Sequence, residues 1–231
     1  MRIAMWSGPR NLSTAMMYAF GARDDFNVMD EPFYAPYLAT SGADHPMADR
    51  IIEVHETDPD IVGQSCMQDG VPHLYMKHMP HHMLPGFPMG WADDCINIHL
   101  IRHPARVIAS YAAKREAPTL EDIGFVQQAE LYQKSGGIII DSTDIRARPE
   151  VMLRALCSEI GLSFDPAMLS WPSGPREQDG IWAEHWYNAV HRSTGIDGAE
   201  GPLPDVPSAL QPVQDAAMPY YQGLYERRLS P

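Results

Sequence analysis

The sequence predicts an α/β fold with a central, mainly parallel sheet of about four to five strands flanked by helices. Short apolar runs of strand length alternate along the chain with longer segments whose apolar residues recur at helical spacing. The run at 95–101 (CINIHLI) is strongly apolar and β-branched, which favours it as the central strand. The 231 residues are enough for one such domain with a sizeable core.

Each element is predicted from the spacing of its apolar residues and from its boundary residues. The predicted strands are 2–6, 26–29, 73–77, 95–101 and 137–141. The predicted helices are 12–20, 47–55, 59–67, 104–112, 119–133, 149–160 and 213–229. We expect a single domain over 1–231, with a helical insertion at about 41–70 and an irregular and helical C-terminal segment at about 171–231.

Composition and charge restrict the classes of function. The formal net charge of −13 at pH 7 opposes nucleic-acid binding, so an anionic ligand would need a local basic pocket. No apolar run of about 18 residues occurs, so no membrane span is expected, and the N-terminus lacks the layout of a signal peptide. Three widely spaced cysteines indicate reduced thiols. We therefore expect a cytoplasmic protein that does not bind nucleic acid, in an oligomeric state that the sequence leaves open.

The first fourteen residues (MRIAMWSGPRNLST) predict an anion site. A buried strand ends at Trp6, a polar turn begins at Ser7, and the next helix has Ser13 and Thr14 in its first turn. The unpaired N–H groups and the positive end of that helix would point at one place. Arg10 adds a guanidinium in the middle of the turn. No Gly-Lys pair precedes Ser13, so the Walker A pattern is absent.

A second strand–turn–helix follows the run at 95–101. Arg102 comes directly after the strand, Pro104 suits the first turn of a helix, and Ser110 lies two turns further on. An arginine at the end of a buried strand is costly unless it meets an anion. The pattern therefore predicts a second anion contact at the carboxyl edge of the sheet, where α/β proteins keep their sites.

Two other strand ends carry titratable side chains. Asp30 and Glu31 follow the strand at 26–29, Lys77 ends the strand at 73–77, and His78 comes directly after it. Lys77 is predicted to stabilise negative charge, and Glu31 or His78 to accept a proton. Near the C-terminus, Arg192 and Ser193 follow an aromatic cluster and are candidates to close over a phosphate.

Three histidines within residues 78–82 raise the question of a metal site. Two of them, His81 and His82, are adjacent, and no cysteine or carboxylate cluster nearby completes a set of ligands. We expect no metal.

These stretches resemble the PAPS-dependent sulfotransferases, a branch of the P-loop nucleotide-binding fold whose donor is 3′-phosphoadenosine 5′-phosphosulfate (PAPS). The family's first turn, roughly Pro-Lys-Ser-Gly-Thr-Thr, corresponds to residues 9–14 here (PRNLST). Its second motif, Arg-x-Pro followed by a helix serine, corresponds to Arg102, Pro104 and Ser110 with the family's spacing. Its Lys-Thr-His-Leu-Pro segment corresponds to residues 77–80 (KHMP), one residue shorter. The resemblance covers most of residues 1–165.

The chain is most similar to a bacterial subgroup with Ser-Gly-Pro-Arg-Asn, Asp-Glu-Pro-Phe-Tyr and His-Trp-Tyr segments, some members of which carry an aminotransferase label. It departs from the better-studied enzymes in having Arg10 for lysine and Leu12 for glycine, and in lacking the C-terminal Arg-Lys-Gly loop, for which only Arg192 and its neighbours offer a substitute. Nothing in the sequence identifies a cofactor-binding lysine in the setting that aminotransferase chemistry uses.

The resemblance implies a three-layer P-loop NTPase-like fold and a PAPS-dependent sulfotransferase that uses no metal. It implies that PAPS is held by Gly8, Pro9, Arg10, Asn11, Leu12, Ser13, Thr14, Arg102, Ser110, Arg192 and Ser193. It implies catalytic roles for Arg10, Lys77, Glu31 and His78 in transfer to a hydroxyl or amine of a small acceptor. Two alternatives stay open: a small-molecule kinase of the same broad fold, and a non-catalytic nucleotide-binding or interaction protein. The sequence identifies neither the acceptor nor which of Glu31 and His78 is the base.

Overall fold

A five-stranded parallel sheet forms the centre of the molecule. The computed structural model describes residues 1–68, 73–112, 118–196 and 198–231. The strands are Arg2–Ser7 (β1), Phe26–Asp30 (β2), His73–His78 (β3), Ile96–Ile101 (β4) and Ile138–Asp141 (β5). They lie in the order β2-β3-β1-β4-β5, and all four pairings are parallel. The predicted fold class is confirmed.

Helices connect the strands and cover both faces of the sheet. They are Ser13–Gly21 (α1), Tyr34–Ser41 (α2), Ala48–Val54 (α3), Pro59–Ser65 (α4), Pro104–Ala112 (α5), Phe125–Ser135 (α6), Ser142–Ala147 (α7), Pro149–Glu159 (α8), Ala183–Trp186 (α9) and Gln211–Tyr225 (α10). Short 3₁₀ helices occupy Pro80–His82, Gly90–Asp94, Pro166–Leu169, Val190–Arg192 and Ser208–Leu210.

The alternating side chains of β1 separate the two layers of helices. Ile3 and Met5 face a core built with α1 and α8. Ala4 and Trp6 face the opposite side, where Trp91 of the 3₁₀ helix Gly90–Asp94 and residues of α4 and α6 pack. All four of these β1 side chains are fully buried. Three layers result, with the sheet in the middle.

The central strand is β1, so the prediction that 95–101 is central was wrong. Both β1 and β4 are paired on two sides, β1 with β3 and β4, and β4 with β1 and β5. A strand that is paired and covered on every side requires apolar residues whether it is the middle strand or its neighbour. Composition therefore does not distinguish the two positions.

Some helix boundaries also differ from the predictions. Thr119 and Asp122 do form reciprocal hydrogen bonds, with Thr119 N donating to Asp122 Oδ2 (2.8 Å) and Asp122 N donating to Thr119 Oγ1 (3.2 Å). However, α6 begins only at Phe125, after Gly124 adopts a φ of 69°. The insertion contains α3 and α4 as expected, while its last residues, Asp69 and Gly70, and Asp197 in the C-terminal segment lie outside the described residues.

Because the strands are parallel, their carboxyl ends meet at one edge of the sheet. Ser7, Asp30, His78, Ile101 and Asp141 end the five strands there. This edge is where open α/β sheets bind ligands. None of the helices in the described part of the chain has the length and apolar character needed to cross a membrane.

Candidate active site

A cavity of about 280 Å³ lies at the carboxyl edge of the sheet and gathers most of the predicted site residues. Its walls come from the turn before α1, the ends of β2, β3 and β4, helix α5, and the segment after α9. The predicted residues that line it are Pro9, Arg10, Asn11, Leu12, Ser13, Thr14, Glu31, Lys77, Arg102, Ser110 and Ser193. The structure therefore brings together side chains that are up to 184 positions apart, from Pro9 to Ser193.

The loop between β1 and α1 directs the N-terminus of α1 toward the cavity. Arg10 and Leu12 both adopt left-handed backbone conformations, with φ values of 63° and 73°. Leu12 is the N-cap residue, and no side chain caps the helix. The first N–H groups of a helix have no intrahelical acceptor, and the helix dipole favours an anion beside them. The backbone therefore leaves these N–H groups open toward the cavity, and the anion site itself stays a prediction.

Gln128 holds this turn in place, a role that no sequence motif indicates. From the interior of α6, its Nε2 atom donates to the carbonyl oxygens of Trp6 and Leu100 (3.0 Å each), and its Oε1 accepts from the N–H of Gly8 (3.2 Å). Gly8 is itself required, because a Cβ there would lie 2.7 Å from the carbonyl oxygen of Ile123. Gly8 supports the turn and is not among the residues that line the cavity.

The two predicted anion contacts meet at Arg10. Its Nε donates to Ser110 Oγ (3.0 Å), and Arg102 donates through NH1 to the carbonyl oxygen of Arg10 (2.7 Å). Burial and the nearby charge of Arg102 lower the pKa of Arg10. Neighbouring guanidinium groups repel each other, and an anion that contacts both would relieve the repulsion. Arg102 also pairs with Glu200.

Lys77 is fully buried between two carboxylates. Its Nζ donates to Asp30 Oδ1 (2.9 Å) and Glu31 Oε1 (2.5 Å), and it also contacts the hydroxyl of Tyr187. Tyr187 in turn donates to both oxygens of Asp30 (2.8 Å). Such a network compensates buried charges with hydrogen bonds and with opposite charges.

The pKa values of Lys77 and Glu31 are both raised, for different reasons. Burial alone would lower the pKa of Lys77, but the negative charges of Asp30 and Glu31 and their hydrogen bonds raise it overall. Burial raises the pKa of Glu31, and the charge of Lys77 opposes this only in part. Glu31 also has a φ of 42°, an unusual conformation for a residue with a side chain. Lys77 thus stays cationic, while Glu31 is a carboxylate with a raised proton affinity.

His78 does not reach the cavity. Its ring stacks on Trp6 (4.6 Å between centroids) and packs against Trp91 (4.7 Å) on the far side of the sheet. Burial lowers the pKa of His78 to about 3, so the ring is neutral. Alternate residues of β3 point to opposite faces, which is why Lys77 enters the cavity and its neighbour does not. Of the two candidate bases, only Glu31 lines the cavity.

The histidine that faces Glu31 is His82. Its Nδ1 lies 3.9 Å from Glu31 Oε2, and its ring stacks on Tyr34 (4.6 Å) and Tyr37 (4.8 Å). Burial lowers the pKa of His82 well below its ordinary value. This neutral, aromatic wall was not predicted. The three histidines at 78–82 were the available signal, but their spacing does not show which ring faces which side.

The two C-terminal candidates, Arg192 and Ser193, lie in different surroundings. Ser193 lines the cavity, accepting from Trp171 Nε1 (3.2 Å) and donating to the carbonyl oxygen of Val190 (2.7 Å). Arg192 is exposed at the end of the 3₁₀ helix Val190–Arg192 and is not one of the described residues that line the cavity. Of these two candidates, Ser193 alone lines the cavity. Arg146 of α7 also lines it and was not predicted from the sequence.

The cavity has two chemically different ends. Around the start of α1 it presents Arg10, Arg102 and Arg146, which suit an anionic ligand. Around Glu31 it presents neutral rings, from His82 and Tyr34, beside the ion pair with Lys77. Among the described residues, no group of three or more His, Cys, Asp or Glu side chains is arranged to hold a metal ion. The arrangement suits transfer of a charged group from an anionic donor to a less polar acceptor.

Comparison with known families identifies the same kind of domain. A family model described as a sulfotransferase domain matches residues 1–228. Two curated proteins of Arabidopsis thaliana, branched-chain-amino-acid aminotransferase-like proteins 1 and 2, are each 30% identical over 233 aligned positions that cover 96% of this chain. The chain spans about two fifths (41%) of the length of these relatives.

Solved structures of similar fold are also sulfotransferases. The sulfotransferase domain of the Synechococcus PCC 7002 olefin synthase has a TM-score of 0.57 at 16% identity, over 94% of both chains. The sulfotransferase domain from the curacin biosynthetic pathway has a TM-score of 0.56 at 17% identity, over 94% of this chain and 96% of that one. A sulfotransferase from Alicyclobacillus acidocaldarius has a TM-score of 0.52 at 12% identity, over 99% and 97%.

Proposed function

The chain belongs to the sulfotransferase domain family, and we propose that it moves a sulfuryl group from PAPS to a hydroxyl or amine of a small acceptor. The observation that carries the proposal is the meeting of Arg10, Ser110 and Arg102 at one cavity with the Lys77–Glu31 pair. Arg10, Ser110 and Arg102 suit an anionic donor. The Lys77–Glu31 pair suits charge stabilisation and proton transfer. The whole of 1–231 is proposed to act as one domain, because residues as far apart as Pro9 and Gly195 line this cavity and helix α10 packs against α5 and α6.

The donor is proposed to lie along the arginine end. The N–H groups at the start of α1, with Ser13 and Thr14, would hold the 5′-phosphosulfate. Arg102 and Ser110 would hold the 3′-phosphate, which distinguishes PAPS from donors such as ATP. Arg10 touches Ser110 directly and would bridge the two groups. Ser193 lines the same pocket and is proposed to contact the donor, whereas the exposed Arg192 does not line it and is not proposed to contact the donor.

Catalysis would depend on stabilising the negative charge of the leaving phosphate and on positioning the acceptor. The donor supplies the sulfuryl group, whose bond to the bridging oxygen of the 5′-phosphate breaks as the acceptor oxygen or nitrogen bonds to sulfur. Arg10 and the cationic Lys77 would stabilise the negative charge that builds up on the leaving phosphate. Glu31 would take the acceptor's proton, since its raised pKa makes it a stronger base than an ordinary carboxylate. The neutral rings of His82 and Tyr34 would surround the acceptor.

The aminotransferase wording in the names of the Arabidopsis relatives is not proposed for this chain. A lysine that forms a Schiff base acts as an amine, and proteins achieve this by lowering its pKa. Lys77, the lysine that lines the described cavity, has a raised pKa and donates to two carboxylates. Its surroundings favour a permanent positive charge, which serves group transfer through charge stabilisation.

Calorimetric titration with PAP, the desulfated donor, tests the proposal. In metal-free buffer the wild type is expected to prefer PAP over ADP by roughly tenfold or more, and Arg102→Ala to lose that preference, because a hydrogen-bonded charged pair is worth about 1.5–3 kcal/mol. Arg154→Ala, which removes an exposed arginine of α8, is the matched control and should keep the preference. Equal or better binding of ATP, strengthened by magnesium, would instead support a kinase.

A further inference from the structure

Glu200 is a buried carboxylate in an otherwise exposed segment. Residues 198–207 are described throughout and contain neither helix nor strand. Gly198, Ala199, Gly201 and Pro202 are exposed, yet the side chain of Glu200 is only 6% exposed. A charged side chain is not buried without compensation, so the protein surface beneath this segment must supply opposite charge.

Three arginines supply the positive charge that compensates Glu200. Glu200 Oε1 contacts Arg102 NH2 and lies 3.9 Å from Arg146 Nε. Its other oxygen, Oε2, lies 3.0 Å from Arg106 Nε and accepts from Thr143 Oγ1 (3.3 Å). These four partners come from the end of β4, helix α5 and helix α7, so the site is built by the sheet edge and not by the segment that carries Glu200. We call these four partners the arginine cluster.

Glu200 offers fewer acceptor atoms than the arginine cluster can use. Three guanidinium groups and one hydroxyl share the two oxygens of a single carboxylate. The two carboxylates of α7 and its N-cap are engaged elsewhere. Asp144 pairs with Arg228 (2.8 Å), and Asp141 accepts from Tyr221 (3.0 Å) and from the N–H of Thr143 (2.7 Å). A phosphate monoester, with its two negative charges and three acceptor oxygens, suits such a cluster better than a carboxylate does.

The arginine cluster continues into the main cavity. Arg102 and Arg146 belong to both, because each also lines the cavity beside the start of α1. Arg106 lies one helical turn beyond Arg102 and also donates to the carbonyl oxygen of Gly201 (2.5 Å), next to Glu200. A ligand that extends from the main cavity past Arg102 would therefore meet the Glu200 carboxylate.

We propose that the arginine cluster is a phosphate-monoester subsite and that Glu200 is an internal stand-in for the phosphate. Resting on the proposed function, the inference is that the donor's 3′-phosphate displaces Glu200 and moves residues 198–202 away from the sheet edge. Arg106, Arg146 and Thr143 then join Arg102 in holding that phosphate. Glu200 sets donor selectivity, because only a nucleotide with a 3′-phosphate can take its place.

Displacement has a measurable cost for binding. When a site must first release an internal occupant, the apparent affinity falls by the fraction of molecules in which the site is open. Glu200→Gln keeps the shape of the side chain but removes its charge, so the open fraction should rise. PAP should bind Glu200→Gln about tenfold or more tightly than wild type, while 5′-AMP, which lacks the 3′-phosphate, should change less than about twofold. Both are measured by calorimetry without metal.

The matched control is Glu150→Gln, which removes the same charge from an exposed pair with Arg154 on α8. It should leave both affinities unchanged. Thermal unfolding of each variant separates binding effects from loss of folding. If Glu200→Gln unfolds cooperatively but binds PAP no better than wild type, Glu200 only stabilises the folded segment and the inference is overturned.

A spin label on Ala199→Cys, an exposed position next to Glu200, tests the movement itself. Addition of PAP should increase the mobility of the label, and 5′-AMP should not. A label that becomes less mobile with PAP would mean that Glu200 stays and the segment closes over the ligand, which contradicts displacement.

Inorganic phosphate separates this inference from the proposed function. If PAP binds the wild type through Arg102 but Glu200→Gln has no effect on its affinity, the subsite fails and the proposed donor survives. If neither protein binds PAP while Glu200→Gln gains affinity for inorganic phosphate that Arg106→Gln removes, the subsite survives and the proposed donor fails.

Discussion

Glu31 has one oxygen tied to a cation and the other turned toward the neutral wall of the cavity. Oε1 lies 2.5 Å from Lys77 Nζ, and Oε2 lies 3.9 Å from His82 Nδ1. The first contact fixes the orientation of the carboxylate, and burial raises its pKa. A base needs both features, because proton transfer requires a fixed position and a proton affinity matched to the working pH.

Glu31→Gln should lower the rate of transfer while donor binding stays the same. The amide cannot accept a proton, so kcat should fall by roughly 10²–10⁴. The wild-type rate should fall as the pH drops through the raised pKa of Glu31, because the protonated carboxyl is no longer a base, and this acid limb should disappear in the variant. Radiolabelled PAPS with the best acceptor from a panel of alcohols, phenols and amines measures the rate.

Glu56→Gln, which removes an exposed carboxylate, is the control for this experiment and should retain the full rate and the acid limb. A Glu31→Gln protein that transfers at the wild-type rate would contradict the role of base. A Glu31→Gln protein that no longer binds PAP would show that Glu31 mainly supports the donor site.

At the scale of elements, the turn between β1 and α1 depends on distant parts of the chain. Asn11 donates to the carbonyl oxygen of Leu100 (3.2 Å), Gly8 to Gln128, and a Cβ on Gly8 would approach Ile123. The turn therefore keeps its two left-handed residues, Arg10 and Leu12, only because β4 and the start of α6 are packed against it.

Gly8→Ala should distort this turn. The added methyl would lie 2.7 Å from a backbone oxygen that cannot easily move, so we expect a loss of stability of about 1–3 kcal/mol. PAP affinity should fall by roughly tenfold, since the N–H groups at the start of α1 would shift. Urea unfolding and calorimetry measure the two effects.

Gly90→Ala is the matched control, because nothing lies within 4 Å of its Cβ position. It should change stability by less than about 0.5 kcal/mol and leave PAP binding intact. Wild-type affinity in Gly8→Ala would show that the turn does not hold the donor.

Across the whole molecule, several histidines are buried without becoming charged. Burial lowers the pKa of His78 to about 3 and the pKa of His99 to about 4, from an ordinary 6.5. Burial and the nearby charge of His45 also lower the pKa of His81 to about 4. In the unfolded chain these rings take up protons near their ordinary pKa, while in the folded protein they do not. Stability is therefore expected to fall as the pH decreases from neutrality, because the unfolded state binds more protons.

The free energy of unfolding should drop by roughly 1 kcal/mol per buried histidine between about pH 6.5 and 5.5. Urea unfolding at a series of pH values measures the slope, and the His99→Gln variant should reduce it. His185→Gln, at an exposed position, should leave the slope unchanged. The same slope in wild type and His99→Gln would mean that His99 takes up a proton in the folded protein.

Much of the site was predictable because its residues follow strands. Arg102 and Lys77 come directly at strand ends, and parallel strands end at one edge whatever their order in the sheet. The side of the sheet that each residue faces was harder to predict, and His78 shows why. Moving one residue along a strand reverses the side chain's direction, and the shortened segment gave no independent register.

The sequence by itself determined the α/β class, the five strands and the two strand–turn–helix units, because apolar spacing and turn residues act locally along the chain. Only the tertiary structure decided that β1 is central, that His82 faces Glu31, that Gln128 supports the first turn, and that Glu200 lies among three arginines. These contacts join residues far apart in the chain, and Glu200 lies in a segment with no periodic pattern. Their energies depend on burial and charge in three dimensions, which local spacing does not encode.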